Sequence, residues 1–554
     1  MPEPSTSTAG RSSRFWYLID VPTFADSNGD GIGDLPGVCL ALDYLAWIGV
    51  DVIWLLPFYP SPRMDNGYDV IQHDAVDPRF GTLDDLRQLC HQAHRRGIRI
   101  VIDLVFNHTS DRHPWFREAS AAPDSPLHDR YVWTDSPASF PPQEPVFPGD
   151  ERTIWTYVPA VGQFYLHNFL SNEPELNPAA PEVRAEFHRI GAYWLDQGVD
   201  GFRIDAAPFQ GSRLKPGSPD SRAIITDIET ALHARHPDLI LALEADLDPP
   251  DLPSYIHSPA GWPRQLFNFQ ISQHLFAALG SGKAAPLVRA IERSAVAAPP
   301  DVWINFPRNA DEMSLSRLTP EDRIGVWQRY APRPDMRIYG RGIRRRLGSL
   351  LDGDSYQIRL VHSLIASLPG DPLIVAGDEL GVPDDLSLPG RYATRTPMQW
   401  AGLARLDLAP DMTPTTLLIP DRQREALVPH RARPVAIPDA EPLLTWMHEL
   451  AHARRTWSGR GHGCDEEGFV NGITANDHVL IHGRTTGAGP MVFAQNCSSL
   501  TQRAVIPRTR LASPVFGQAN VCSTPDGTTL ELPAYGFAWM PAAPPEHPTA
   551  LDPG

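Results

Sequence analysis

The stretch IRIVIDLVFNH, residues 98–108, carries the pattern that decides the fold. Its first eight residues are apolar except for Arg99 and Asp103, and they show no helical spacing. A continuous apolar run of this length predicts a strand buried on both faces, as in a parallel sheet. Asn107 and His108 follow at its end, so the stretch predicts a buried strand that delivers polar side chains to one edge of the sheet.

Seven further runs of the same kind lie along the chain, and helical patterns separate most of them. Residues 83–97 and 181–198 have apolar residues at three- and four-residue spacing, which predicts helices. Strands that alternate with helices predict a parallel α/β sheet, and eight strands are the number of a (β/α)8 TIM barrel. The seven runs are FWYLIDV at 15–21, VDVIWLLP at 50–57, GVDGFRID at 198–205, LILALEAD at 239–246, LFNFQ at 266–270, VWINF at 302–306 and PLIVAGDE at 372–379.

At 554 residues the chain is longer than a barrel of about 250 residues, so further domains are expected. The gap 109–180, rich in Pro, Ser, Trp and Tyr, predicts a subdomain inserted after the third strand. Short strand-like pieces between Gly, Asn and Asp turns predict a C-terminal antiparallel β-sandwich at 457–541. The other expected parts are the barrel at 15–108 and 181–456, a long loop at 400–440, and disordered termini at 1–14 and 542–554.

Composition excludes several classes of partner. The net charge of -18 argues against nucleic acid, because contacts with phosphate backbones need a positive surface. No apolar run reaches the roughly 18 residues that a membrane span requires, and the N-terminus lacks the apolar core of a secretory signal. The five cysteines show no paired spacing, which favours a reducing compartment. We therefore expect a cytoplasmic protein with neither a nucleic-acid nor a membrane partner.

Carboxylates stand at the ends of three predicted strands. Asp205 ends the fourth run, Glu244 lies in the fifth, and Asp311 follows the seventh. Barrel enzymes build their active sites at this end of the strands. A single Asp after a strand is more often a helix cap, but three convergent carboxylates are costly because like charges resist joint ionisation. Glycosidases need such a set, with one carboxylate as nucleophile and a protonated one as acid.

Neighbouring residues suggest how the work is divided. Arg203 precedes Asp205 by two residues and so shares its face of the strand, where it could hold Asp205 ionised as a nucleophile. Glu244 lies among LAL and Ala, and apolar surroundings should raise the pKa of that carboxyl toward that of an acid.

These residues resemble a known family. DLVFNH at 103–108, GFRIDAAPF at 201–209, LEAD at 243–246 and NFPRNADE at 305–312 are similar to the four ordered regions of the α-amylase superfamily, glycoside hydrolase family 13. Within it the chain resembles the trehalose synthases through FADSNGDGIGDLPG at 24–37, IWLLPFYPSPRMDNGYD at 53–69, FNHTSDRHPWF at 106–116, DMRIYGRGIRRRLGSLLDGD at 335–354 and RTPMQW at 395–400.

The resemblance implies a retaining enzyme that acts on a small α-glucoside or oligosaccharide. Asp205 would be the nucleophile, Glu244 the general acid/base and Asp311 the residue that stabilises the transition state. The implied substrate-binding residues are Tyr68, Asp69, His108, Arg203 and Asn309. Maltose–trehalose interconversion, hydrolysis and transglycosylation use the same carboxylates, so the choice among them stays open. A homo-oligomer is also implied by the resemblance.

One departure from the family supports a second interpretation. Ala310 stands where the family carries histidine, and loss of such a hydrogen-bond donor commonly costs a few kcal/mol of barrier. The alternative is a catalytically impaired barrel kept as a carbohydrate-binding or assembly protein. A transporter subunit with the same barrel is disfavoured, because no spanning segment is predicted.

DSNGDGIGD at 26–34 predicts a structural Ca2+ loop. Side-chain oxygens at alternate positions, with glycines between them, are the hard ligands that Ca2+ prefers. The competing interpretation is an ordinary cluster of Asx and Gly turns without metal. The expected ligands are Asp26, Asn28, Asp30, the Ile32 carbonyl and Asp34.

Overall fold

The computed structural model describes residues 13–210, 220–256, 258–400, 440–457, 474–486, 489–524 and 526–542. Most of the predicted 400–440 loop, Cys464, and nearly all of both predicted disordered termini lie outside these residues. Ser13 and Arg14, which we expected to be disordered, are bound to the barrel. The Ser13 hydroxyl donates to the Gly370 carbonyl (2.9 Å), and the Arg14 N–H donates to Asp371 (2.9 Å). Ala542, the first residue of the predicted tail, donates its N–H to the Pro490 carbonyl (2.9 Å).

Eight parallel strands form a closed barrel, which confirms the predicted fold. Each strand pairs with the next along the chain, and the eighth pairs with the first. Their residues are almost entirely buried because helices cover the outside and side chains fill the inside. The strands are β1 Trp16–Ile19, β2 Val52–Leu55, β3 Arg99–Leu104, β4 Gly201–Ile204, β5 Ile240–Leu243, β6 Gln265–Phe267, β7 Trp303–Asn305 and β8 Asp371–Val375.

The sixth strand is shorter than predicted. The run LFNFQ was expected to be a strand over 266–270, but the strand ends at Phe267 and a helix begins at Phe269. Asn268 is the reason, because its side chain accepts a hydrogen bond from the Ile271 N–H (3.2 Å) and caps the helix.

Helices cover the barrel where the spacing of apolar residues predicts them. Thr82 and Asp85 form a reciprocal capping box at the start of the helix Leu83–Arg95. Leu86 and Leu89 lie on the buried face of this helix. No helix in the described residues is long and apolar enough to span a membrane. The longer helices are Leu42–Ile48, Leu83–Arg95, Pro181–Asp196, Ser221–His233, Phe269–Ser281, Ala285–Ala297, Pro320–Tyr330, Ser355–Ser367 and Ala440–Trp457; the shorter ones are Val21–Phe24, Leu35–Leu40, Pro114–Ala119, Pro253–Ile256 and Leu347–Leu350.

The insertion after β3 is attached to the end of that strand by its backbone. The Leu176 N–H donates to the Asn107 carbonyl (2.9 Å), and His108 forms an antiparallel bridge with Glu175. Residues of the insertion therefore lie beside the polar end of β3. The insertion's own antiparallel sheet consists of Trp133–Thr134, Trp155–Val158 and Gln163–Leu166.

The C-terminal part consists of two antiparallel sheets packed face to face. Ile481 and Val492 of one sheet meet Ile506 and Leu530 of the other in a common core. Trp539, on the opposite face of the larger sheet, packs into the barrel core, so the sandwich is joined to the barrel. The larger sheet has strands Thr474–Ala475, Val479–Thr486, Gly489–Asn496, Phe537–Pro541 and Phe516–Gly517; the smaller has Gln502–Pro507, Gly527–Leu532 and Asn520–Thr524.

Candidate active site

A cavity of about 480 Å³ opens at the carboxyl ends of the barrel strands. Its walls come from the strand ends, the insertion, and the segments that follow β7 and β8. The structure brings seven of the eight predicted catalytic and substrate-binding residues to this cavity: Tyr68, His108, Arg203, Asp205, Glu244, Asn309 and Asp311.

Arg203 binds three carboxylates at the floor of the cavity. Its Nη1 donates to Asp205 (2.6 Å) and also to Asp103, while its Nη2 pairs with Glu244 (2.6 Å). The guanidinium is buried, so its charge is poorly screened by water and offsets the mutual repulsion of the acids. A cluster that is too costly without a cation is therefore held together by one arginine.

Asp205 and Glu244 occupy equivalent places on neighbouring strands. Ile204 of β4 is in register with Leu243 of β5, and each acid is the next residue. Because neighbouring strands lie about 4.8 Å apart, the two side chains leave the barrel side by side. Close carboxylates are typical of retaining glycosidases, in which the pair is separated by about 5–5.5 Å, whereas inverting enzymes leave room for a water molecule between them.

The turn after β4 helps to orient Glu244. Ala206 adopts a left-handed conformation (φ 46°), which is uncommon for a residue with a side chain and is a form of strain found near functional sites. In this conformation its N–H donates to Oε2 of Glu244 (3.1 Å), the same oxygen that Arg203 binds. The side chain of Glu244 is 25% exposed, so part of the carboxyl faces the cavity.

Burial raises the pKa of Glu244 above its usual value, and Arg203 only partly opposes the shift. Burial also raises the pKa of Asp205, although contact with Arg203 acts in the opposite direction. The direction for Glu244 agrees with the sequence-based expectation for an acid. For Asp205 we expected Arg203 to dominate, and the structure differs because the carboxyl is almost fully buried.

Asp311 has the opposite electrostatic environment. Burial by itself would raise the pKa of this carboxyl, but Arg391 and Arg395 hold it at about 2. Arg395 donates to Asp311 over 2.8 Å, and Arg391 lies 3.7 Å away. Asp311 is therefore a fixed negative charge in the cavity wall, in contrast to Asp205 and Glu244, whose pKa values burial raises.

The sequence has close relatives of known function. Residues 21–250 match the α-amylase catalytic domain. The chain is 38% identical over 452 residues to the trehalose synthase/amylase TreS of Mycolicibacterium smegmatis, a match that covers 79% of this chain and 75% of that protein. The chain belongs to the α-amylase family. It is also 35% identical to the trehalose synthase of Pimelobacter sp., over 82% of this chain and 81% of that protein.

The barrel and its added domains have the fold of a solved structure. The isomaltulose synthase SmuA from Protaminobacter rubrum superposes with a TM-score of 0.74, covering 96% of this chain and 99% of that one at 20% identity. At this identity the likeness supports the fold alone.

One residue assigned from the family resemblance lies outside the cavity. Asp69 is fully buried, and its carboxylate accepts from the Ser61 hydroxyl (2.7 Å) and the Met64 N–H (2.9 Å), so it braces the loop after β2. Asp69 therefore does not reach the cavity in this structure, and its substrate-binding role stays a prediction. Asp65 lines the cavity from the same loop, and Arg391 faces it at 3.7 Å. Neither Asp65 nor Arg391 was predicted from the sequence, because the motif MDNGYD contains Asp65 but does not reveal which of its acids points inward.

Ala310 does not face the main cavity. Its side chain is buried in the layer beneath, where it borders a separate cavity of only about 10 Å³ together with Asp20 and Arg395. Its carbonyl accepts from the Thr394 hydroxyl (2.7 Å). The small cavity has room for about one water molecule and not for an imidazole. Arg395 borders the same small cavity.

Aromatic and arginine side chains close one side of the cavity. Phe147 of the insertion packs against Tyr339, which follows β7, with ring centres 4.5 Å apart. The Arg391 guanidinium lies 4.6 Å from the Phe147 ring centre, within the range of a cation–π contact. Arg341 donates to the Val146 carbonyl (2.5 Å) and ties the same two segments together. We call this group of five residues, Val146, Phe147, Tyr339, Arg341 and Arg391, the clasp.

The predicted calcium loop is closed by its own hydrogen bonds. Asp26 accepts backbone N–H bonds from within the loop, Asn28 accepts from Asp30 (2.9 Å), and Asp30 accepts from Ile32 (2.8 Å). Asp34 caps the helix Leu35–Leu40. In the described part of the chain, no three His, Cys, Asp or Glu side chains form a group that could hold a metal. These contacts fit the turn-cluster interpretation, and calcium binding stays a prediction.

Proposed function

We propose that this protein is a retaining enzyme of the trehalose-synthase type that cleaves and re-forms α-glucosidic bonds of small sugars. The observation that supports this most strongly is the Arg203 cluster, which holds Asp205 and Glu244 side by side on adjacent strands at the floor of a cavity. Double displacement requires two carboxyl groups that lie close together. The cavity volume falls within the usual range for small-molecule sites, about 300–1,000 Å³.

In the first step a carboxylate oxygen of Asp205 attacks the anomeric carbon of the bound glucosyl unit. Glu244 gives its proton to the bridging oxygen, so the leaving sugar departs as a neutral alcohol and a glucosyl ester forms on Asp205. Arg203 contacts both acids, and it stabilises the negative charge that shifts from Asp205 to Glu244. The fixed charge of Asp311 favours the positive character of the oxocarbenium-like transition state.

In the second step Glu244 accepts a proton from the acceptor, whose oxygen attacks the ester and releases Asp205. Water as acceptor gives hydrolysis, and a sugar hydroxyl gives transfer. The released glucose gives isomerisation if it turns within the cavity before it escapes. Closure of the cavity decides among these outcomes, because it determines whether water or sugar reaches the ester first. The clasp favours transfer and isomerisation, since it seals one side of the cavity.

The competing function is a binding or assembly protein that has lost catalysis. Ala310 was its main support in the sequence. The geometry weakens that support, since the position of Ala310 lies in a layer where Arg395 already pairs with Asp311. All three carboxylates and Arg203 are in place, and a protein free of catalytic demands gains nothing from so costly a cluster.

Three further properties belong to this proposal. A structural Ca2+ follows from the oxygen ligands at residues 26–34, and a homo-oligomer follows from the resemblance to trehalose synthases. Action in the cytoplasm is supported by the cysteines: Cys39, Cys90, Cys497 and Cys522 are all unpaired where the chain is described, as expected in a reducing compartment.

The test is incubation of the purified protein with maltose and, separately, with trehalose. Products are followed by chromatography, and by proton NMR for the configuration of the first glucose released. We expect disaccharide interconversion or glucose release, with the α-anomer appearing first. Asp205→Asn should be inactive, and Glu244→Gln should lose about 10²–10⁴-fold. Asp246→Asn is the matched control, because Asp246 lines the same cavity but pairs with Arg317. First release of the β-anomer would exclude double displacement, and unchanged sugars would favour the binding function.

A further inference from the structure

A second buried carboxyl lies behind the cavity wall and is not used by the proposed chemistry. Glu173, from the insertion, is fully buried and does not line the cavity. Its Oε1 lies 3.6 Å from Nε2 of His108, which does line it. Neither of these two atoms has a hydrogen-bond partner within the described residues. Two unpaired polar atoms that face each other in a buried layer require an explanation.

The backbone, and not chance side-chain placement, brings the two residues together. The Thr109 N–H donates to the Pro174 carbonyl (3.2 Å), and the Leu176 N–H donates to the Asn107 carbonyl (2.9 Å). Glu173 and His108 are therefore held beside each other across a short antiparallel contact. A hydrogen bond needs a donor–acceptor distance of about 3.2 Å or less. A side-chain rotation that brings Oε1 of Glu173 a few tenths of an ångström closer to Nε2 of His108 therefore completes the bond.

The direction of that bond depends on which ring nitrogen of His108 carries the hydrogen. The pairing with Glu173 requires the Nε2–H tautomer, in which Nδ1 faces the Asn107 amide nitrogen at 3.4 Å. Burial lowers the pKa of His108 to about 4, so the ring is neutral at pH 7 and carries a single N–H. A buried N–H without an acceptor costs about 1–3 kcal/mol.

We propose that Glu173 is a positioning residue for the sugar pocket, which accepts the Nε2–H of His108 and fixes the imidazole against the cavity wall. The His108 ring also packs on Phe169, with ring centres 5.5 Å apart. Phe169 therefore limits the movement of the ring on one side, and Glu173 holds it by a hydrogen bond. Glu173 acts only through His108, because it has no surface on the cavity. This inference rests on the proposed function, in which the cavity receives a glucosyl unit.

The first test is a double-mutant cycle on kcat and KM for maltose and trehalose. Glu173→Leu removes the acceptor while keeping the volume, and we expect kcat/KM to fall about 10–100-fold, as for other residues that orient a ligand-binding side chain. His108→Ala should cost at least as much. In the double variant the loss should equal that of His108→Ala alone. Losses that multiply, or wild-type kinetics for Glu173→Leu, would overturn the proposal.

Glu173→Gln keeps an acceptor oxygen of the same reach and covers the case in which the leucine variant does not fold. We expect it to retain wild-type kcat/KM within about threefold. A loss as large as that of His108→Ala in a folded glutamine variant would show that the acceptor contact is not the function of Glu173.

The second test does not depend on activity. In protein with 15N-labelled histidine, long-range 15N–1H spectra report which ring nitrogen carries the hydrogen, and the His108 signals are those absent from His108→Ala. We expect the Nε2–H tautomer in wild type and mixed tautomers in Glu173→Leu. An unchanged spectrum in Glu173→Leu would refute the pairing. The expected spectral change in a protein that leaves both sugars untouched would uphold the pairing and refute only the proposed function.

Discussion

Replacing Arg203 with methionine tests the electrostatic account of the active site. The change removes the cation and leaves three acids, the buried Asp103 and Asp205 and the partly exposed Glu244, without their common partner. Breaking a buried ion pair by removing one partner costs about 3–5 kcal/mol. Unfolding entropy of about 2.1 cal/mol/K per residue gives roughly 1.2 kcal/mol/K for 554 residues. For a chain that unfolds in a single transition, the Tm of the variant should therefore lie about 3–4 °C below that of wild type.

The stability lost in Arg203→Met should increase as pH rises. Burial raises the pKa of Asp103 to about 7 even though Arg203 opposes the shift, so removing Arg203 raises it further. A carboxyl whose pKa is raised in the folded state makes the protein lose stability as pH rises from its unfolded pKa up to the folded one, so a further increase in the folded pKa extends that loss to higher pH. Below pH 7 Asp103 is protonated in both wild type and Arg203→Met, so it contributes nothing to the difference in stability between them. Above pH 7 wild type is ionised beside Arg203, whereas the variant must ionise unpaired or keep its proton.

The assay is thermal melting of wild type, Arg203→Met and Arg203→Lys between pH 6 and pH 9, followed by fluorescence. We expect the gap in Tm between wild type and Arg203→Met to widen with rising pH. Arg203→Lys keeps the charge but loses the fork that reaches several acids, so it should lie between the two. An equal gap at pH 6 and pH 9 would show that the loss comes from packing, and would refute the charge argument.

Three further predictions follow from the cavity and its surroundings. Phe147→Ala opens the clasp, so glucose release should rise relative to disaccharide interconversion, by severalfold in product ratios from chromatography; an unchanged ratio would mean that the clasp does not exclude water. Ala310→His should lower Tm and should not raise kcat, because the imidazole displaces Arg395 from Asp311; a gain in activity would show that the layer rearranges. If residues 26–34 bind Ca2+, adding Ca2+ to chelated protein at one hundred times Kd should increase the free energy of unfolding by about 2.7 kcal/mol and raise Tm by about 2 °C. Asp30→Ala should abolish this rise in Tm. No rise in the wild-type protein would establish a metal-free turn cluster.

Much of the site could be predicted because strand ends are local features of a sequence. Apolar runs that end in Asp205 and Glu244 place those residues at the carboxyl edge of a barrel whatever the rest of the chain does. The same logic predicts Arg203 beside Asp205, since residues two apart share a face of a strand. The fold and the central cluster can therefore both be predicted from short local patterns.

The loop after β2 shows where such reasoning stops. Arg63, Asn66 and Gly67 have positive φ angles (59°, 54° and 107°), so the loop follows no regular period and the side-chain directions cannot be counted off. Asp69 turns into the loop and Asp65 turns into the cavity, whereas the motif had directed attention to Asp69 alone. A similar reason explains the sixth strand, which ends early because Asn268 caps a helix.

The sequence alone determined the barrel, the order of its strands and the carboxylates at their ends, because each depends on the chemistry of a short segment. Only the tertiary structure decided which residues meet across distant segments: Arg391 with Asp311, Phe147 with Tyr339, and Glu173 with His108. These pairs are separated by dozens to hundreds of residues, and no local pattern records them. Their contacts arise when the insertion and the loops after β7 and β8 pack over one end of the barrel, and that packing sets the charge, closure and shape of the cavity.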